Sequence, residues 1–184
     1  RASRSDADLI VAERHATKHV LPWLLRFNDW ELLRRSQVPV LLVKSARAWR
    51  RPGVLAAIDP LHSFAKPAKL DGEIMEAAQM AAEALGGKLH LAHAFPGALL
   101  PAERLSPVSA ELAVTLEKQA TREARKSFAA AVEQAGLSGA RKHFVSGHAV
   151  DVIPKLARQQ HVQLVVMGAI SRSGLKRLVI GNIA

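Results

Sequence analysis

Four short strand-like runs, three of them mostly apolar, alternate with segments that repeat their apolar residues at helical spacing, and this alternation limits the chain to very few folds. The runs are residues 54–59, 88–95, 141–145 and 163–167. Between them, residues 70–85 place Ala, Met, Ile and Leu on one helical face before Gly86-Gly87. A second helix is predicted from a Ser109 cap to about residue 135, with Gly136 as its stop. A third is predicted over residues 151–160, with Asp151 as cap so that Pro154 falls where helical amides have no partner. Strands alternating with helices imply right-handed crossovers and a parallel sheet covered on both faces.

The head of the chain carries a shorter version of the same pattern. Asp8-Leu9-Ile10-Val11-Ala12 reads as a buried strand, Asn28 or Asp29 as a cap for a short helix, and residues 39–44 as a second strand. Residues 45–53 are basic and end in Pro52-Gly53, as a linker does. The strand at residues 8–11 corresponds to the one at residues 163–166, so internal duplication is the economical account. The expected organisation is 1–45 as the C-terminal part of a first domain, 46–53 as linker, and 54–184 as a second domain lacking its last strand. An open strand edge is a pairing liability, so residues 39–43, here or in a second copy, are expected near the edge of the fourth strand.

Composition narrows the function. Of 184 residues 49% are hydrophobic and 23% charged, a globular balance. A net charge of +10 points either to a polyanion partner or to a basic surface, and the lack of a dense Lys/Arg block favours the surface. Aromatics at 4% are too sparse for base stacking, so no specific nucleic-acid partner is expected. With no cysteine, thiolate catalysis and Cys-bearing zinc sites are excluded. No apolar run approaches the roughly 20 residues of a membrane span, and no signal peptide opens the chain. A cytoplasmic location is expected, and the chain reads as a fragment or ordered part of something longer.

The segment after the last strand carries the chemistry. Leu164-Val165-Val166-Met167 ends in Gly168, a polar loop follows with Ser171 and Arg172, and Gly181-Asn182 comes thirteen residues after the first glycine. Small residues let a backbone approach phosphate, and loop amides or a helix N-terminus can neutralise it. Arg172 and Lys176 add positive charge, with a solvated loop as the plain reading of both. Asp59 ends the first strand of the second series and can bind ribose hydroxyls or help hold Mg²⁺; equally, it can be a loop or capping aspartate. In an open parallel sheet a ligand sits where strand order reverses, and these two strand ends meet there.

His90 and His93 stand at i and i+3 of one strand, on opposite faces, and cannot chelate one metal together. His15 and His19 share a face only in a helix, so no metal site is expected. His93 and His148 are candidates for a polar pocket wall. No Gly-x-Ser-x-Gly elbow is present, so nothing supports a Ser-His-Asp hydrolase. Trp23, Trp30 and Trp49 read as inter-domain packing or the wall of an apolar pocket.

These residues resemble the universal stress proteins. The resemblance rests on Val165-Val166-Met167-Gly168, Ser171-Arg172-Ser173-Gly174 and Gly181-Asn182. Residues 28–33, 39–44 and 147–154 are similar to the tandem, E-like branch. The resemblance implies a Rossmann-like five-stranded parallel sheet of order 3-2-1-4-5 in each full domain, and a cytoplasmic, non-enzymatic role in stress response. Nucleotide-binding members carry Gly-x2-Gly-x9-Gly-(Ser/Thr). Gly168 matches the first glycine and Gly181 the last, while Ser171 replaces the middle glycine and Asn182 the hydroxyl residue. The family's acidic position falls on Asp59 and its adenine-side position on Ala94. The expected ligand set is Asp59, Ala94, Met167, Gly168, Ser171, Arg172, Gly181 and Asn182 around a weakened ATP site, with Mg²⁺. The first half carries no such motif, since Ala12-Glu13-Arg14-His15 follows its strand. Alternatives are a scaffold that pairs domains or copies without nucleotide, a carrier of an apolar small molecule using residues such as Leu99, Leu100 and Trp23, and, last, an ATP-hydrolysing enzyme. A homo-oligomer or intramolecular domain pairing is expected as the assembly.

Overall fold

The computed structural model describes residues 7–13, 32–33, 36, 38–43, 48–61, 69–96 and 107–168. The described residues divide into two compact units, one ending at Ala48 and the other running from Trp49 to Gly168.

In the first unit, β1 (Ile10–Glu13) and β2 (Val40–Val43) form a parallel pair with Ile10 opposite Val40. The Ile10 amide donates to the Pro39 carbonyl at 3.0 Å. The end of the helical turn at Leu32–Leu33 is closed by the Ser36 amide donating to the Leu32 carbonyl, and the Ser36 hydroxyl then donates to the Val38 carbonyl at 2.6 Å. The expected cap at Asn28 or Asp29 lies outside the described residues. Among those residues, β2 takes β1 as its hydrogen-bonded neighbour, in a sheet of its own.

The second unit holds β3 (Gly53–Ala57), α1 (Leu70–Ala84), β4 (Lys88–Phe95), α2 (Pro107–Gln134), β5 (Arg141–Ser146), α3 (Ala149–Gln159) and β6 (Val162–Met167). All strands are parallel, in the order β5-β4-β3-β6. Counted from β3, this is 3-2-1-4, an α/β Rossmann-like sheet with helices on both faces.

The placement of the helices follows from crossover handedness. The connections β3–β4 and β4–β5 step in one direction across the sheet, so right-handed crossovers put α1 and α2 on one face. The step from β5 to β6 reverses direction and puts α3 on the other. The two cores show this division. Val54, Ala56, Ile58 and Leu91 pack with Ile74, Met75, Ala78 and Ala82 of α1 and Phe128 and Val132 of α2. Leu55 and Ala92 pack with Ile153 and Leu156 of α3. Strands buried on both faces have no polar face to show, which is why they read as continuous apolar runs.

Local chemistry sets the ends of the elements. α1 is rich in Ala, Glu and Met, strong helix formers, and its closing turn is made by the Gly87 amide on the Ala82 carbonyl and the Gly86 amide on the Glu83 carbonyl. α3 begins earlier than its sequence suggests. His148, not Asp151, is its cap, and Asp151 lies in its first turn. Pro154 is therefore inside the helix, and Val150, whose carbonyl loses its helical donor, is 57% exposed and open to water. At the start of β6 the register shifts between Gly53 and Val54, and the Gln163 side chain accepts the Gly53 amide at 2.7 Å. Among the described residues no helix is long and apolar enough to cross a membrane.

Candidate functional site

Strand order reverses at β3, with β4 on one side and β6 on the other. Ala57 is in register with both Ala92 and Met167, so the chain leaves β3 toward Asp59 beside the point where it leaves β6 at Gly168. The sequence placed these two residues at one crevice, and the topology brings their strand ends together.

On the α3 side the strand ends are lined by small and apolar groups. Ala57, Ala94 and Met167 are half-buried and pack against the Leu55, Ala92, Ile153 and Leu156 cluster. Ala94 and Met167 are thus half-buried apolar groups at the strand ends, which offer no strong side-chain hydrogen bond. Asp59 supplies the charge, with a side chain 46% exposed.

Gly168 has a packing role that its motif does not disclose. A Cβ there would lie 2.8 Å from Leu70 Cδ2 and 3.4 Å from Ile74 Cδ1. Its hydrogen lets α1 pack close against the end of β6, quite apart from any phosphate.

The peptide joining Ile58 to Asp59 is held at both ends. The Ile58 carbonyl lies 3.1 Å from His93 Nδ1, and because a carbonyl can only accept, Nδ1 carries the proton. The Asp59 amide donates to Asp71 Oδ1 at 3.2 Å, from the first turn of α1. His93 Nδ1 also stands 3.9 Å from Asp59 Oδ1. The His93 ring is 2% exposed and packs against Phe128 and Phe144, with ring centres 6.0 and 5.7 Å away. His93 is therefore not a pocket wall; it supports Asp59 from behind. Reaching this from sequence requires the β3–β4 register, because nothing in the spacing of residues 59 and 93 signals it. His148 is exposed and caps α3.

His90 faces away from His93, as strand alternation requires, and meets His143 of β5, with His90 Nδ1 3.0 Å from His143 Nε2. Both are held below the usual histidine pKa. Burial is the main cause for each; the Arg141 charge adds to both, and His143 and Lys88 add at His90. Among the described residues no group of three or more His, Cys, Asp or Glu is placed to hold a metal. Ser171, Arg172, Gly181 and Asn182 lie outside the described residues, as do His15, His19, Trp23, Trp30, Leu99, Leu100 and Lys176.

Comparison with known proteins agrees with this architecture. The Universal stress protein E homolog of Haemophilus influenzae is 27% identical over 179 residues, covering 96% of this chain and 57% of its own length. Universal stress protein E of Escherichia coli K12 is 26% identical over 189 residues, covering 96% of this chain and 56% of its own length. A functionally unknown protein of Pseudomonas aeruginosa PAO1 superposes with a TM-score of 0.71 at 26% identity, over 98% of this chain and 58% of that one. The chain thus spans little more than half the length of these relatives. Residues 69–184 match the Universal stress protein family, and by that match the chain belongs to it.

Proposed function

We propose that the crevice between the ends of β3 and β6 takes an adenine nucleotide, and that the chain acts by binding, without making or breaking a bond. The observation that carries this reading is the convergence of a half-exposed carboxylate, Asp59, with half-buried apolar strand ends at the reversal of strand order. ATP would set its base against Ala94 and Met167 and its ribose, or a Mg²⁺ beside the phosphates, at Asp59. Gly168, Ser171, Arg172, Gly181 and Asn182 would form the phosphate loop. Ser171 and Asn182 depart from the nucleotide-binding pattern, so the site is a weakened one. Nucleotide occupancy would then bias how a tandem pair of domains, residues 1–45 and 54–184 joined by a linker at 46–53, packs with itself or a second copy. This is a regulatory role in a cytoplasmic stress response.

Calorimetric titration of ATP with Mg²⁺ into the chain tests the reading, with Asp59→Asn as control. Micromolar to sub-millimolar binding, weakened about tenfold by the substitution, is expected; a tenfold loss corresponds to about 1.4 kcal/mol. No heat of binding at millimolar nucleotide overturns it.

A scaffold reading has one observation in its favour. Among the described residues β6 is an edge of the four-stranded sheet, and four of its residues, Leu164 to Met167, are only half-buried apolar groups. An added strand there would pair domains or copies without any ligand. Light scattering on a chain with a Val165→Lys substitution checks it; an assembly state the same as wild type counts against the scaffold.

A further inference from the structure

We infer that His93 and Asp71 are positioning residues that clamp the Ile58–Asp59 peptide and so aim the Asp59 carboxylate at the crevice. The inference rests on the nucleotide reading of that crevice. Its basis is one peptide unit gripped at both its polar atoms by side chains from two different elements. His93 on β4 donates to the carbonyl at 3.1 Å, and Asp71 in the first turn of α1 accepts from the amide at 3.2 Å.

A peptide unit is planar, so fixing its carbonyl and its amide fixes the plane from which the Asp59 Cα departs. β3 itself ends at Ala57, and the last sheet-like bond beyond it is the Ile58 amide on the Ala92 carbonyl at 3.0 Å. Beyond that bond the two side chains hold the next peptide unit. The clamp has little freedom of its own. The His93 ring is 2% exposed and stacked on Phe128 and beside Phe144. Asp71 sits on a helix whose Ile74, Met75 and Ala78 are buried in the core. A buried, packed donor is preorganised, so the ligand need not order it on binding. The 3.9 Å approach of His93 Nδ1 to Asp59 Oδ1 puts the same ring beside the carboxylate it aims.

Two measurements on the full chain test the clamp. Amide hydrogen exchange at Asp59 reads it directly, with or without nucleotide. His93→Phe and Asp71→Ala should each speed that exchange tenfold or more. His93→Asn places an amide donor near the Nδ1 position and should restore most of the protection. Calorimetric titration with Mg²⁺-ATP reads the consequence: His93→Phe should weaken binding about fivefold to tenfold, His93→Asn by less, and His93→Phe should add nothing in an Asp59→Ala background. Unchanged Asp59 exchange in His93→Phe overturns the clamp. An equal loss of affinity with and without the Asp59 carboxylate overturns its positioning role. Wild-type chain that binds no Mg²⁺-ATP, with Asp59 exchange still controlled by His93, overturns the nucleotide reading and leaves the clamp standing.

Discussion

His90 Nδ1 lies 3.0 Å from His143 Nε2, with the two rings within 6° of parallel and their centres 5.2 Å apart. At that separation the rings meet edge to edge, and one of the two nitrogens carries the proton that the lone pair of the other accepts. One proton between the two joins β4 to β5, and it can be shared only while at least one ring is neutral. Both pKa values are depressed, chiefly by burial and then by neighbouring positive charge. A histidine with a depressed folded pKa binds protons more readily when unfolded. Its contribution is therefore fully present above the unfolded value of about 6.5 and is lost as pH falls through the folded one. Melting temperature should be flat from pH 8 to 7 and drop below pH 6.5. His143→Gln, which keeps a donor and cannot titrate, should shrink that acid-side drop, as followed by circular dichroism. An unchanged drop in the variant removes the pair as its cause.

Gly168 offers a test of packing against ligand chemistry. Alanine there needs Leu70 Cδ2, the end of a flexible side chain, to move from its 2.8 Å approach, at a cost of about 1 kcal/mol or less. Valine adds two methyls toward Leu70 and Ile74 and should cost about 1–3 kcal/mol as overpacking. Denaturant melts of the two variants should separate clearly. Lost nucleotide binding in Gly168→Val is therefore no measure of the phosphate loop, and Asp59→Asn is the cleaner control. Equal stability for alanine and valine would show that α1 yields freely at this point.

Gly147, just past β5, has φ +129°, and a Cβ there would lie 2.9 Å from Val152 Cγ2. Its amide donates to the Phe95 carbonyl at 2.8 Å, so the turn cannot relax without breaking a bond at the end of β4. Gly147→Ala should cost about 1–3 kcal/mol from the backbone conformation alone. At about 2–4 °C per kcal/mol for a chain of this size, the melting point should fall by roughly 2–12 °C. Calorimetry showing no shift would mean that Val152 and the turn rearrange together.

The two central strands were legible because they are buried on both faces. Val54-Leu55-Ala56 and Leu89-His90-Leu91 leave no amphipathic face to mislead, and the extent of β4 matches the sequence reading residue for residue. The start of α3 was not legible, because Pro154 argued for a later cap while the exposure of Val150 removed the penalty for an earlier one. Asp59 and Gly168 could be named from strand ends and motif spacing. His93 could not be given its place, because a contact between residues 35 apart in sequence, Ile58 and His93, depends on register between neighbouring strands. His143 was hidden for the same reason: it is a diagonal neighbour of His90, opposite Ala92, and only the β4–β5 register brings them together.

Replacing the serine at position 171 is expected to bring a gain rather than a loss. The family pattern has glycine there, and glycine reaches positive φ without the penalty of about 1–3 kcal/mol that a side chain incurs. If the phosphate loop adopts that conformation on binding, the wild-type chain spends part of its binding energy on strain. Ser171→Gly should then tighten Mg²⁺-ATP binding about tenfold, or about 1.4 kcal/mol, with little change in thermal stability when no nucleotide is present. The serine hydroxyl pulls the other way, since it can donate to a phosphate oxygen that glycine leaves to solvent. Ser171→Ala separates the two effects by removing the hydroxyl while keeping the Cβ. Tighter binding in the glycine variant and weaker binding in the alanine variant would assign a cost to the Cβ and a contribution to the hydroxyl. Titrations that leave all three chains with one affinity would place position 171 away from the phosphates.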